Sequence, residues 1–171
     1  MRIIDGFLDS ESFVAMRDAL VRPDFPLLHT AIVTKPASRV PAAANRQDVH
    51  GFFLRTPTKM EVSDHFEVIR PAVDRLRPEL LLRVKLNVTR RQATHVEYGM
   101  HVDTRHPGAT TAILYLNTNN GYTVFEDGRK VESVENRLVI FDAARRHTGA
   151  SCTDAKSRAV LNFNMVMSAP G

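Results

Sequence analysis

The 171-residue chain has no tryptophan and a single cysteine, Cys152. One cysteine excludes an internal disulfide and any thiolate zinc cage, and it fits a reducing, cytoplasmic setting. No apolar run approaches the roughly 20 residues that a membrane helix needs, so no spanning segment is expected. The opening MRIIDGFLDSES sets an acid at position five and builds no apolar stretch behind a basic start, so no secretory signal is expected either. A glycine-rich phosphate loop is also missing. Aromatic residues are only 7%, and no basic helix or stacking motif accompanies them, which leaves nucleic acid without a dedicated element to bind it.

What is present is material for one core. Hydrophobic residues make up 43% of a 19.2 kDa chain, which predicts a single domain over 1–171. The net charge is +4, and 18 of the 23 basic residues are arginine. Arginine presents a planar fork suited to carboxylates and phosphates, so an anionic partner is permitted though not demanded.

The first part, 1–79, reads as a helix-rich support. MRII is strand-like, and a helix is expected from about Asp9 to Val21, with Asp9 or Ser10 as cap and Phe13, Met16, Ala19 and Leu20 as its apolar stripe. LLHTAIVT is strand-like, and the stretch from Thr34 to Asp48 reads as a loop. A second helix is expected from about Val62 to Leu76, kinked or split at Pro71. From 80 to 171 the pattern turns to short runs rich in Val, Leu, Ile, Phe and Thr, separated by Gly, Asn and Asp: LLLRVKLNVT, GMHVDT, TTAILYLNT, YTVFEDG, RLVIFDA and RAVLNFNMVM. These predict an α+β, mainly β protein whose core is a jelly roll with N-terminal helices as support. Asn119 to Gly121 marks one expected turn and Asp127-Gly128 another.

The residues able to carry chemistry are His101, Asp103 and His147. Positions two apart in a strand share a face about 7 Å from base to base, so an imidazole and a carboxylate at 101 and 103 can converge on one metal. His147 follows the apolar run RLVIFDA, where a jelly roll would return it to the same mouth. Two histidines and one carboxylate occupy one face of an octahedral metal and leave three positions open, which suits ferrous iron that must take up substrate and oxygen. His95 and His106 flank the motif without an acid two residues on in the same strand character; His29, His50 and His65 have no visible partners. Arg158 opens the last run. Read at period two, Arg158, Val160, Asn162 and Asn164 share the inward face, and Ala159, Leu161, Phe163 and Met165 the other. If Gly149 to Ser157 is a hairpin loop, Arg158 lies across from His147. A guanidinium in such a cavity needs an anion, and a carboxylate matches it best. Cys152 has no activating base, and Gly99 and Gly149 read as backbone turns.

His101-x-Asp103, His147 and Arg158, with TAILYLN, GYTVF and the opening IIDGFLDSESF, resemble the iron(II)- and 2-oxoglutarate-dependent oxygenases. The nearest likeness is to the prolyl 4-hydroxylase-like group, and within it to a small phage and bacterial branch. The resemblance implies a double-stranded β-helix with iron held by His101, Asp103 and His147. It also implies 2-oxoglutarate chelating the iron while its far carboxylate meets Arg158 and Tyr115. Two positions depart from the family pattern: Asn87 stands near the place of a co-substrate tyrosine on the first core strand, and Val160 and Asn162 occupy the slots of a hydroxyl residue beyond the arginine. Both asparagines can donate to a carboxylate. The implied activity is oxygen-dependent hydroxylation of a peptide or protein side chain, proline first, with Thr34 to Phe53 as a lid. The alternatives are a nucleobase-oxidising dioxygenase, a non-catalytic barrel that binds a ligand, and a zinc hydrolase using the same three ligands.

Overall fold

The computed structural model describes residues 1–32 and 40–168. Strand β1 (Arg2–Ile4) leads into helix α1 (Ser10–Leu20), then β2 (Leu28–Ala31), β3 (Arg46–Arg55) and β4 (Met60–Val62). A short 3₁₀ turn (Phe66–Ile69) runs into α2 (Arg70–Leu76). The β-rich part then gives β5 (Pro78–Arg90), β6 (Ala109–Tyr115), β7 (Asn119–Phe125), β8 (Lys130–Ser133), β9 (Leu138–Asp142), β10 (His147–Gly149) and β11 (Ser157–Met167). No helix among the described residues is long and apolar enough to cross a membrane.

The strands form two antiparallel sheets. The larger runs β1-β9-β6-β11-β5-β3-β2, with β4 pairing on β3, and the smaller runs β10-β7-β8. Strand β11 is central, flanked by β5 and β6 along most of its length. Its side chains divide by period two: Ala159, Leu161, Phe163 and Met165 enter the main core with Phe13, Met16 and Leu20 of α1 and Ala72 and Leu76 of α2. Val160, on the other face, joins Ile113, Tyr115, Phe125 and Phe141 in a second cluster between the sheets. Helices therefore back one side of the large sheet, and the site lies on the other.

Local chemistry explains the helix boundaries. Asp9 caps α1 by accepting from the Ser12 amide at 2.9 Å, which satisfies one of the orphan donors of the first turn. The expected second helix is split just ahead of Pro71: the 3₁₀ turn ends at Ile69, and Pro71 stands in the first turn of α2, where its missing N–H is harmless. The helix is thus shorter than expected.

Four other expectations change. The N-terminal part supplies β1 to β4 as well as its helices, so it completes the large sheet rather than only supporting it. Part of the expected loop and lid falls at 33–39, outside the described residues, and the part from Arg46 onward is strand β3. Asn119 to Gly121 is not a turn but the irregular start of β7, with a register shift before Tyr122. Strands β10 and β11 are not a hairpin: β10 pairs with β7 in the small sheet and β11 lies in the large one, so His147 and Arg158 face each other across the sandwich. The turn at Asp127-Gly128 does join β7 to β8, with Gly128 at φ +82.

Candidate metal centre and anion pocket

The HVD segment is not a regular strand. Residues 91–108 cross between β5 and β6 irregularly and touch the small sheet through isolated bridges, one of them between His101 and His147. The two histidines exchange both main-chain bonds, His101 N to His147 O at 2.9 Å and the reverse at 3.0 Å. Their rings consequently lie side by side, centroids 4.9 Å apart. Gly99, at φ +122, turns the chain just before this bridge, a conformation that a side chain would strain.

Each ring is oriented by its own backbone. Nδ1 of His101 faces the Gly99 carbonyl at 3.0 Å and Nδ1 of His147 the Arg145 carbonyl at 3.1 Å. A carbonyl only accepts, so both Nδ1 atoms carry a proton, and both Nε2 atoms face Asp103. His101 Nε2 is 3.7 Å from Asp103 Oδ1, and His147 Nε2 is 3.5 Å from Oδ2. One ligand atom from each of the three residues lies within 4.8 Å of the others. The expected convergence is present.

Electrostatics favour the metal-binding forms. Burial pushes the His101 pKa down, toward neutral imidazole. For Asp103 burial alone would raise the pKa, but the His147 ring, the Arg83 guanidinium and the Asn162 amide outweigh it and hold the carboxyl well below the usual range. Asn162 Nδ2 donates to Asp103 Oδ2 at 2.8 Å. Asn162 thus orients the acid with one N–H of its amide, and it also lines the cavity.

The triad opens into a cavity of about 210 Å³ whose lining includes Asn87, Tyr98, Thr123, Gly149, Arg158 and Val160. Arg158 is 6% exposed. Its Nε donates to Ser133 Oγ at 2.8 Å and its Nη2 to Thr123 Oγ1 at 3.0 Å. Among the described residues no carboxylate pairs with it, and burial lowers its pKa. Two glycines of the small sheet make the room. A Cβ at Gly121 would stand 2.8 Å from Arg158 Cδ, and one at Gly149 3.2 Å from Nη1. Gly149 therefore serves close approach within a strand and not the turn expected of it.

Tyr115 lies behind the guanidinium, its ring 5.3 Å from Arg158 Cζ, and does not line the cavity. Its hydroxyl donates to Thr123 Oγ1 at 2.8 Å. Asn87 does line the cavity, paired with Val160 across β5 and β11. Sequence reasoning missed Tyr98, Thr123 and Ser133. Thr123 accepts from both Tyr115 and Arg158, which leaves its own proton to donate. Tyr98 is 1% exposed, and among the described residues its hydroxyl has no hydrogen-bond partner. The only sequence signal for these three was their position in or near strands that flank the motif.

The other histidines have structural partners or none at the site. His29 pairs with Asp48, His50 bridges the Pro26 carbonyl and Ser63, and His95 packs edge-on to Tyr122. Cys152 is buried, and burial raises its thiol pKa, as expected of an inert cysteine.

No family model matches the sequence, and no curated protein matches it. Solved structures do match. A 2OG-Fe(II) oxygenase family oxidoreductase from Burkholderia pseudomallei superposes with a TM-score of 0.65 at 15% identity, over 95% of this chain and 82% of that one. A prolyl-4-hydroxylase from Pseudomonas putida gives 0.60 at 16% identity, over 98% and 92%. A Trichoplax adhaerens prolyl hydroxylase in complex with a hypoxia inducible factor peptide fragment gives 0.62 at 13% identity, over 96% and 82%. The fold is that of the 2-oxoglutarate- and iron(II)-dependent oxygenases, a mainly β jelly roll.

Proposed function

We propose that the protein is an iron(II)- and 2-oxoglutarate-dependent dioxygenase that hydroxylates a peptidyl side chain. The observation that carries this reading is Arg158: a buried guanidinium with no acidic partner among the described residues, in the same cavity as three converging metal donors. A buried cation is costly unless an anion meets it, and a dicarboxylate held at one end by the metal would supply that anion at the other.

The donor set fits the group. Two imidazoles and one carboxylate on one side of a centre suit a divalent iron that keeps open positions, whereas a closed structural site would need further protein donors. When bound, iron, 2-oxoglutarate and oxygen together supply oxidative decarboxylation to succinate and carbon dioxide, coupled to insertion of oxygen into a C–H bond. The chain's residues do the positioning. His101 and His147 present Nε2 because their Nδ1 protons are held by backbone carbonyls. Asn162 fixes Asp103, a supporting contact of the kind that orients metal ligands. Arg158 binds the far carboxylate of 2-oxoglutarate, and Thr123 and Tyr98 offer it hydroxyl donors. Asn87 stands on the same wall, and Tyr115 acts through Thr123. Val160 and Ile113 keep the cavity wall dry.

The peptide substrate is supported by the fold likeness to prolyl hydroxylases, one of them seen with a peptide. The test is succinate formation with peptides as substrates. Release that requires iron, 2-oxoglutarate and oxygen together supports the reading. Turnover without oxygen would point instead to hydrolysis, and iron-independent ligand binding without succinate to a non-catalytic barrel.

A further inference from the structure

Strand β5 turns Arg83, Lys85, Asn87 and Thr89 to the cavity side, and the first two are cations that the proposed reaction does not use. Lys85 is half-buried and, among the described residues, makes no salt bridge or hydrogen bond. Burial pushes its pKa down, Arg83 adds to that effect, and Asp103 only partly offsets it. Asp103 is itself already engaged by Asn162, Arg83 and the two histidines. Arg83 Nη2 reaches Asp103 Oδ1 at 3.3 Å, while its Nε is buried without an acceptor. Two adjacent cations thus carry uncommitted donors beside the metal ligands.

These groups lie apart from the Arg158 subsite. Along β11, Arg158 pairs with Thr89, Asn162 with Lys85 and Asn164 with Arg83. Four residues of strand separate the Lys85 level from Arg158, about 13 Å. In the proposed reading both carboxylates of 2-oxoglutarate are engaged, one by Arg158 and one by the metal, so neither is a dedicated partner for Lys85. On the other side of Lys85, β3 places Gly51, with open space where a side chain would begin. A prolyl ring carries no anion to meet Lys85 or the Nε of Arg83, which has no acceptor among the described residues.

We propose that Arg83 and Lys85 receive an oxyanion of the substrate, an acidic peptide side chain adjacent to the hydroxylated residue. This rests on the dioxygenase reading for the position of the reacting carbon. An arginine and a lysine two residues apart lie on one strand face, so both can meet the same carboxylate or phosphate. A nucleic acid would instead call for a row of cations tracking successive phosphates, whereas the cavity lining next to Lys85 along β5 continues through the uncharged Asn87 and Thr89.

The test is calorimetric. Protein loaded with manganese(II) and saturated with N-oxalylglycine is titrated with acetylated hexapeptides of the form Gly-Ala-Pro-X-Ala-Gly, X being glutamate, phosphoserine or glutamine. The glutamyl or phosphoseryl peptide is expected to bind at least tenfold more tightly than the glutaminyl one, and whichever of the two leads identifies carboxylate or phosphate as the recognised group. Lys85→Glu is expected to reverse the preference and Lys85→Gln to abolish it. Equal binding of all three peptides, absence of binding by all three, or a preference untouched in both variants would overturn the proposal. So would tighter binding of a single-stranded oligonucleotide than of any peptide. Failure of the dioxygenase reading shows separately, as no succinate from the iron-loaded wild type, and leaves the binding comparison interpretable.

Discussion

Gly121 lies against Arg158 so closely that a Cβ at position 121 would stand 2.8 Å from the arginine's Cδ, 2.8 Å from Asn119 Oδ1 and 3.0 Å from the Ala150 carbonyl. One of those neighbours is backbone, so the crowding cannot be relieved by side-chain rotation alone. Gly121→Ala is expected to destabilise the fold by ~1–3 kcal/mol and to raise the KM for 2-oxoglutarate. Gly149→Ala meets only the flexible end of the guanidinium, at 3.2 Å, and is expected to shift KM with a smaller loss of stability. Thermal melts and co-substrate titrations on both variants separate the two effects.

Removing the guanidinium itself should act on the co-substrate. Arg158→Leu loses charge-assisted bonds of about 1.5–3 kcal/mol, which corresponds to a rise in KM for 2-oxoglutarate of about 10- to 100-fold. Succinate formation against 2-oxoglutarate concentration gives the comparison. An unchanged KM would remove the arginine from the co-substrate site.

Tyr98 offers a cleaner probe, because its hydroxyl is buried and has no hydrogen-bond partner among the described residues. Tyr98→Phe is expected to leave the melting temperature unchanged or raised, since it deletes an unsatisfied polar group. It should still weaken 2-oxoglutarate binding severalfold. A fall in stability with no change in binding would mean the hydroxyl is structural.

Acid should destabilise the metal-free protein in two windows. His101 has a folded pKa below its usual 6.5, so the unfolded chain takes up a proton there that the folded one refuses, and stability falls as pH drops below 6.5. Asp103 is depressed below 3.8 and adds a second loss under that value. Melting temperatures of the wild type should fall more steeply between pH 6.5 and 5 than those of His101→Gln. Parallel curves would refute the assignment.

Asn136 tests the scaffold alone. It sits at φ +59 and ties the β8–β9 connection to the N-terminal segment, accepting from the Leu8 amide at 3.0 Å and donating to the Leu8 carbonyl at 2.8 Å. Asn136→Ala is expected to cost about 2 kcal/mol in chemical denaturation, with succinate formation per folded molecule unchanged.

The alternation of β11 was readable because its two faces differ in chemistry: Ala, Leu, Phe and Met against Arg and Asn. The metal donors were readable because a His-x-Asp pair, a later histidine after an apolar run and an arginine opening the last strand occur together, although His101 and Asp103 lie in an irregular crossing and not in a strand. The partition of β10 and β11 between sheets was not, since a pairing between His147 and Phe125 leaves no mark on either local pattern. Tyr98 went unseen for the same reason; it lies in an irregular crossing whose path is set by bridges to Ala150 and His147. Asn119 to Gly121 carries turn chemistry, yet its glycine answers to Arg158, a contact made across the sandwich. Asn162 lay on the face predicted for it, but which acceptor it meets depends on where Asp103 arrives.

The reciprocal amide bridge between His101 and His147 has a consequence for how the centre is assembled. Imidazole separation is dictated by main-chain hydrogen bonds that need no cation to form, in contrast to small zinc domains that collapse when stripped. Chelation should accordingly yield a correctly folded apoprotein that regains iron on simple addition, and the ions it prefers will be those whose radius suits a gap already drawn.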